Sequence, residues 1–550
     1  MDRFGIELKE KEGGGVEKTI FFNGRFTTLE PSQPRAEAIY VENGWIRGVG
    51  STQEIRLQFG GPDVRRVDLD GGFAYPGLVD NHLHLIGYGM KRSMLDFSQV
   101  DSKKELLRAI AEKASQTPPG EWIRGLNWDE NRFDQPLPPT LEELDAVAPR
   151  HPVLLTRTCY HVQAVNTAAF QEAGISRDLP DPPGGSLGRD ESGHLTGLIY
   201  ENASKLFLDA MPEPSYEKRK EWARAGMKDA ISKGLTGVHT EDLREAGSLR
   251  AVLNIYRDLI REEYYLRTHH LIDHHYGEEL REVEISAGDG DEWVRIGAMK
   301  LFADGSIGGR TALLSEPYAD DPGTRGMEIH SPEALQEWTR KARDLGMPIA
   351  VHAIGDQAAE TAIRAMEAFP VQDLATGRFR DRLIHGQVLR RDLVDRLTRL
   401  QAVVDIQPRF VASDFPWVIR RLGPERLEYA YAWKTLLEAG IPCGAGSDAP
   451  IEPIDPLLGI HAAVTRTSPH HPSREAYLPQ QKLTPEQALL LYTFGSACTA
   501  SEEEERGTLK VGKRADLSVF DRDLLRIHPE ELLRAEAVMT VTNGRIAYRR

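Results

Sequence analysis

Pro76-Gly77-Leu78-Val79-Asp80-Asn81-His82-Leu83-His84 is an apolar run of strand length that stops at two histidines one residue apart. On an extended strand, residues i and i+2 project to the same side, so the two imidazoles would point together. At the C-terminal end of a strand in a parallel barrel they would face the mouth, where enzymes of that architecture keep their active sites. A bare His-x-His pair also suits a satisfied core or surface position, so the rest of the chain has to weigh between the two.

Working outward, short apolar runs alternate with helical stretches such as Ser331 to Leu345 and Leu389 to Leu400. The runs are Ala74 to Val79, Gly234 to Thr240, Tyr265 to Leu271, Val294 to Phe302, Pro348 to His352, Arg382 to His385, Ala402 to Gln407 and Ile441 to Ser447. Eight such strands predict an α/β fold built on a (β/α)8 barrel. Three of them stop at His352, His385 and Asp448. Four histidines and an aspartate on one face suit a borderline divalent metal such as zinc, which binds neutral imidazole and carboxylate oxygen. Two ions fit if one ligand bridges them. Lys300 is the candidate bridge, because a lysine inside an apolar strand is costly without a partner. Its amine either pairs with Asp304 or another carboxylate, or takes up CO₂ to become a carbamate between two metals.

The ends of the chain read differently. Thr19 to Phe73 alternates in short runs broken by Asn23-Gly24 and Asn43-Gly44, and the C-terminus repeats that vocabulary up to Asn543-Gly544. Asn-Gly between apolar alternations is a hairpin signal. The expected division is a small β-sandwich domain made from residues 1–73 and 501–550 around a barrel over residues 74–500. The gap after the first barrel strand is too long for one helix and carries Pro136 to Pro139 and Asp181-Pro182-Pro183-Gly184-Gly185. It predicts an inserted subdomain over about residues 90–225, suited to lid the barrel mouth.

Composition narrows the function. The 550 residues, 40% hydrophobic, can bury one large core and a satellite domain. Asp and Glu outnumber Lys and Arg by 84 to 68, a formal charge of −16 that repels nucleic acid and anionic lipid. Cys159, Cys443 and Cys498 are too few and too scattered for a disulfide framework or a zinc knuckle. Met1 to Lys18 lacks an apolar core and no run is long enough to span a membrane, so the cytoplasm is the expected compartment. No Gly-x-Gly-x-x-Gly fingerprint opens a strand-turn-helix unit. Glu502 to Glu505 reads as a solvated helix face or turn rather than a calcium site.

Together the motifs resemble the amidohydrolase superfamily, in its YtcJ-like branch with N-substituted formamide deformylase-like proteins. The likeness covers nearly the whole chain. Besides the histidine pair it includes Trp122 to Asp129, His161 ahead of Val165 to Ala169, Lys300 to Arg310, His352 to Asp356, Arg382 to Gln387, Ser447 to Pro456 and Gly512 to Leu517. The resemblance implies that His82, His84 and Asp448 hold one metal, that His352 and His385 hold a second, and that carboxylated Lys300 joins them. Two departures bear on the substrate pocket: Cys159-Tyr160-His161 stands where relatives often carry Asp-Gly-His, and Gln407-Pro408-Arg409 where they often carry Gln-Pro-Thr-His.

The expected chemistry is hydrolysis of a non-peptide carbon–nitrogen bond, of amide or N-substituted formamide type, in a small-molecule substrate. Metal coordination brings the pKa of water to about 7, giving a hydroxide nucleophile. Asp448 would be the catalytic group, first general base and then general acid. Trp128, His161, Asp304 and Arg310 are the candidate substrate contacts; the competing readings for them are loop or cap positions and, for His161, a plain surface histidine. Two alternatives use the same scaffold: a deaminase of a cyclic amidine, and a non-catalytic scaffold protein. The subunit count is open, with a homodimer among the outcomes.

Overall fold

The computed structural model describes residues 16–159, 161–176, 179–374, 378–468 and 475–550. The chain divides into two compact units, residues 1–88 with 226–550 and residues 89–225.

The first unit is organised by eight parallel strands, β1 (Leu78–Leu83), β2 (Leu235–Thr240), β3 (Arg267–Asp273), β4 (Val294–Phe302), β5 (Ile349–Ala353), β6 (Asp381–His385), β7 (Ala402–Ile406) and β8 (Cys443–Ala445), each paired with the next in that order. The first of these differs from expectation. Ala74 to Val79 does not form one strand: Phe73–Pro76 joins a separate sheet, and β1 starts at Leu78. The break falls at Gly77, where a Cβ would run into Thr236 Oγ1, and whose N–H donates to Asp516 O at 2.8 Å. β1 and β8 are not joined by a strand ladder among the described residues; side chains and loop backbone close the seam. Ser447 N donates to the Asp80 carboxylate (3.0 Å), Asp448 N to His82 O (2.7 Å) and His84 N to Ala449 O (2.8 Å). Leu271, Ala298, Ala350 and Ile384 pack as one buried cluster on four adjacent strands.

Helices cover the barrel where periodicity allows. Leu249–Arg261, capped by Ser248, buries Leu249, Val252, Leu253 and Tyr256, the i, i+3, i+4, i+7 pattern of a helix resting on a sheet. Pro332–Asp344 starts with Ser331 as cap and proline in its first turn, which costs nothing because that N–H has no helical partner.

Both chain ends meet in the same small core. A four-stranded sheet (Trp45–Gly50, Ala38–Glu42, Lys18–Phe22, Arg65–Asp68) accompanies a six-stranded one (Arg545–Arg549, Ala537–Thr542, Leu517–Phe520, Phe73–Pro76, Arg25–Thr27, Arg35–Ala36). Phe21, Phe26, Ile39 and Ile46 from one end pack with Leu517, Val519 and Val541 from the other. Asn43-Gly44 and Asn543-Gly544 turn hairpins with both residues at positive φ, as their sequence predicts. Asn23-Gly24 does not: the strands flanking it belong to different sheets, so the chain crosses over there. Ser518 Oγ fastens the small domain to the barrel, accepting from Leu78 N (2.8 Å) and donating to Gly234 O (2.6 Å).

The second unit carries its own sheet, ordered Gly185–Arg189, Leu195–Glu201, Val162–Val165, Val153–Arg157, Ile123–Trp128, Leu95–Asp96. Its core includes Phe97, Leu106, Ile110, Trp128, Phe133 and Leu144. Among the described residues no helix is long and apolar enough to cross a membrane.

Candidate metal centre

The C-terminal ends of β1, β4, β5 and β6 and the turn after β8 bring six side chains together. His82 and His84 flank Leu83, and both Nε2 atoms face Asp448 Oδ1, at 3.6 and 3.5 Å. Lys300 Nζ, on β4, lies 3.3 Å from His82 Nε2. The His82 ring centroid is 5.6 Å from that of His385, and His385 Nε2 is 3.0 Å from His352 Nδ1. Ligand atoms of His82, His84 and Asp448 all lie within 4.8 Å of one another.

Neighbouring acceptors decide which ring nitrogens carry lone pairs. His84 Nδ1 donates to Glu241 O (2.8 Å), so Nε2 is the nitrogen turned toward Asp448, and it holds a proton there unless a metal takes the proton's place. His385 Nδ1 donates to Gln407 Oε1 (2.7 Å), leaving Nε2 bare. His352 Nε2 donates to Gly305 O (3.0 Å), leaving Nδ1 bare. The bare nitrogens of His352 and His385 therefore face each other across 3.0 Å, an arrangement that repels unless a cation or a proton stands between them. This donor set, neutral imidazoles with one carboxylate, fits a divalent metal of the zinc class.

The electrostatics follow from burial. His82 is held well below its ordinary pKa by desolvation and then by the Lys300 charge, and desolvation with its histidine neighbours does the same to His352. His385 falls to about 4, chiefly through burial. Burial also lowers Lys300 to about 8, against the pull of Asp448, Glu241 and Asp405. For His84, burial is outweighed by the Asp448 and Glu241 carboxylates, which raise it well above its usual value. Burial would raise Asp448, but the His84 hydrogen bond and the charges of His385, His84 and Lys300 bring it below the ordinary carboxylate range.

Two of the six pay for their position in backbone strain: His385 has φ 75° and Asp448 φ 57°. A non-glycine residue held there costs of order 1–3 kcal/mol, and such strain gathers at functional sites.

The other residues singled out in the sequence have partners of their own. Asp304 does not pair with Lys300: its buried carboxylate accepts from Ile354 N (3.0 Å), Gly355 N (2.8 Å) and Leu313 N (2.8 Å), so it braces three loop segments instead of offering a free oxygen to substrate. Trp128, a candidate substrate contact, is buried in the core of the second unit, with its indole N–H on Leu155 O at 3.1 Å. His161 is exposed in the same unit and pairs with Glu201 at 2.9 Å; Tyr160 beside it lies outside the described residues. Arg310 sits in a loop of the first unit and pairs with Asp320 at 3.1 Å, a carboxylate shared with Arg421. Glu502 is buried between two arginines, against the expectation of a solvated acidic run.

Sequence reading missed the supporting layer. Glu241 directly follows β2, and a polar residue at a strand end was the available signal. Gln407 stands one residue past β7 and stood out only as part of a departure from the family pattern. Beneath Lys300, the Arg382 guanidinium donates to Asp405 (2.9 Å) and to Asn81 O (2.8 Å), and Asn81 Nδ2 bonds Asp405 in turn. A second group able to hold a cation, Asp273, His274 and His275 at the end of β3, has its carboxylate occupied by the His275 ring and N–H.

Known proteins share this plan. The chain is 45% identical to the putative amidohydrolase YtcJ of Bacillus subtilis (strain 168), over 96% of this chain and 99% of that protein. It is 27% identical to the N-substituted formamide deformylase of Arthrobacter pascens, over 96% and 98%. An uncharacterised metal-dependent hydrolase from Pyrococcus furiosus superposes with a TM-score of 0.76 at 30% identity, covering 92% of this chain and all of that one. The model of the amidohydrolase family matches residues 65–548, so an eight-stranded barrel with histidines and an aspartate at its C-terminal rim is here the frame of a hydrolase: the chain belongs to the amidohydrolase family.

Proposed function

We propose that the protein hydrolyses a carbon–nitrogen bond outside peptides, an amide or N-substituted formamide, using one or two zinc-class ions. His82, His84 and Asp448 would hold one ion, His352 and His385 the other, with Lys300 carboxylated on Nζ between them. The observation that carries this reading is the set of lone-pair nitrogens fixed by Glu241, Gln407 and Gly305 and turned toward Asp448 and toward each other. The name of the Arthrobacter relative supports the bond type.

Carboxylation joins the neutral Lys300 amine to CO₂ and releases one proton, another having left the ammonium beforehand. The net change would turn a buried cation, whose Nζ lies 3.3 Å from His82 Nε2, into an anion surrounded by histidines. A bound divalent ion supplies Lewis acidity toward both water and the substrate carbonyl. Asp448 faces the point where the two β1 imidazoles converge, so it would take the proton of the attacking water and pass it to the departing amine. Its strained backbone and its bond from Asp448 N to His82 O keep that carboxylate aimed without a search of rotamers.

The test is a panel of amides, N-substituted formamides and cyclic amidines offered to zinc-loaded protein, with and without chelator. Chelator-sensitive release of amine from amide or formamide is the expected result. Turnover of amidines alone would transfer the site to deamination, and bound metal with no turnover on any class would leave a scaffold protein.

A further inference from the structure

The opposite, N-terminal end of the barrel holds a second concentration of charge that the proposed reaction does not use. Three adjoining hollows lie there, with volumes of about 20, 20 and 10 Å³, and all three are bordered by Glu502. Seven arginines line them against four carboxylates, and two further carboxylates, Asp405 on Arg382 and Glu503 on Arg380, still leave one positive charge over in a chain whose net charge is −16.

The pairing explains where the excess sits. Arg267 is matched by Asp516 through two contacts of 3.1 Å, and Arg382 by Asp405 at 2.9 Å. Glu502, however, serves two guanidinium groups at once, Arg295 on Oε1 and Arg506 on Oε2, each at 2.6 Å. One carboxylate cannot neutralise two cations, and arginine cannot shed its proton. Nitrogens of residues bordering one or another of these hollows have no protein partner among the described residues: Arg382 Nη1, Arg295 Nε, Arg506 Nε, and Nδ1 of His239 and His269. Arg382 is 1% exposed and His239 4%, and both border the hollows. Burial and the surrounding arginines hold both imidazoles well below their usual pKa, so they meet the space as neutral rings able to donate N–H. The Nε2 edge of the His269 ring abuts Gly297, where any Cβ would strike it, so only glycine leaves room for that ring.

We infer that the base of the barrel binds a small inorganic anion of halide size in the hollow bordered by Arg295, Arg382 and His269. An uncompensated buried guanidinium is expensive, and a single halide supplies both the missing charge and an acceptor for several N–H groups. Because Glu502 and Arg506 belong to the segment entering the C-terminal sheet domain, the ion would fasten that segment to β4 and β6.

Two measurements test this. The first follows thermal unfolding of the full-length, metal-loaded protein as chloride replaces gluconate at constant ionic strength. A saturable rise in Tm of about 2 °C or more is expected, as for any ligand that binds only the folded state. Arg506→Gln, which balances the charge on Glu502, should remove the chloride effect while amine release stays unchanged; Arg506→Lys should retain part of it. The second is a bromide soak of wild-type crystals, which does not depend on any variant folding. An anomalous peak within hydrogen-bond range of Arg382 Nη1 supports the site. A flat chloride response, an undiminished response in Arg506→Gln, or no peak at the barrel base overturns it.

Discussion

At the scale of single residues, the centre depends on acceptors that never touch a ligand. Gln407 Oε1 holds the proton of His385 on Nδ1, so Gln407→Leu should weaken metal binding by about 10- to 100-fold in a competitive chelator titration, while Gln407→Glu, which keeps the acceptor, should retain most of it. Asp448→Asn should keep most bound metal and lower amine release by several orders of magnitude; unchanged turnover would remove Asp448 from the chemistry. Asp304 is a different case. Truncation to alanine strands three buried amides at about 1–3 kcal/mol each, so a large loss of unfolding free energy in urea is expected before any effect on substrate binding. The six clustered residues were legible because strand ends concentrate function. Gln407 and Glu241 were not, because a hydrogen-bond acceptor one residue beyond a strand has no spacing pattern of its own.

At the scale of elements, the eight barrel strands were legible as apolar runs between helical stretches, and the errors came where the chain changes partners without changing composition. Phe73 to Leu83 is apolar almost throughout, so nothing in hydropathy marks Gly77 as the point where it leaves one sheet for another; only the crowding against Thr236 does. Asn23-Gly24 likewise has hairpin chemistry but joins strands of two sheets. The junction between small domain and barrel is electrostatic as well as apolar. Asp516 is buried, which opposes its ionisation, yet the Arg267 charge and hydrogen bonds bring its pKa below the ordinary value. A depressed folded-state pKa stabilises above the unfolded carboxylate range and is lost as pH falls through the folded pKa. Unfolding free energy should therefore drop on acidification below about pH 5, and drop less steeply in Asp516→Asn, which at neutral pH should already be weaker by about 3–5 kcal/mol because Arg267 is left unpaired. A pH profile identical in the two proteins would dismiss the pair as a contributor.

At the scale of the whole molecule, the two ends of the chain share one core and enclose the barrel segment in sequence, while the centre uses residues from position 82 to position 448. The seam between β1 and β8 has no ladder among the described residues, and the candidate ligands stand on both sides of it: His82 and His84 on one, Asp448 on the other. A cation gripped there would act as a rivet across the joint of the cylinder that, among the described residues, no strand ladder spans. Stripping metal should then speed deuterium uptake first in the amides of β1 and of residues 446–449, with the rest of the barrel lagging. An enzyme built this way would link the completeness of its wall to its readiness for catalysis, so that a chain lacking its ion would be at once inactive and ajar.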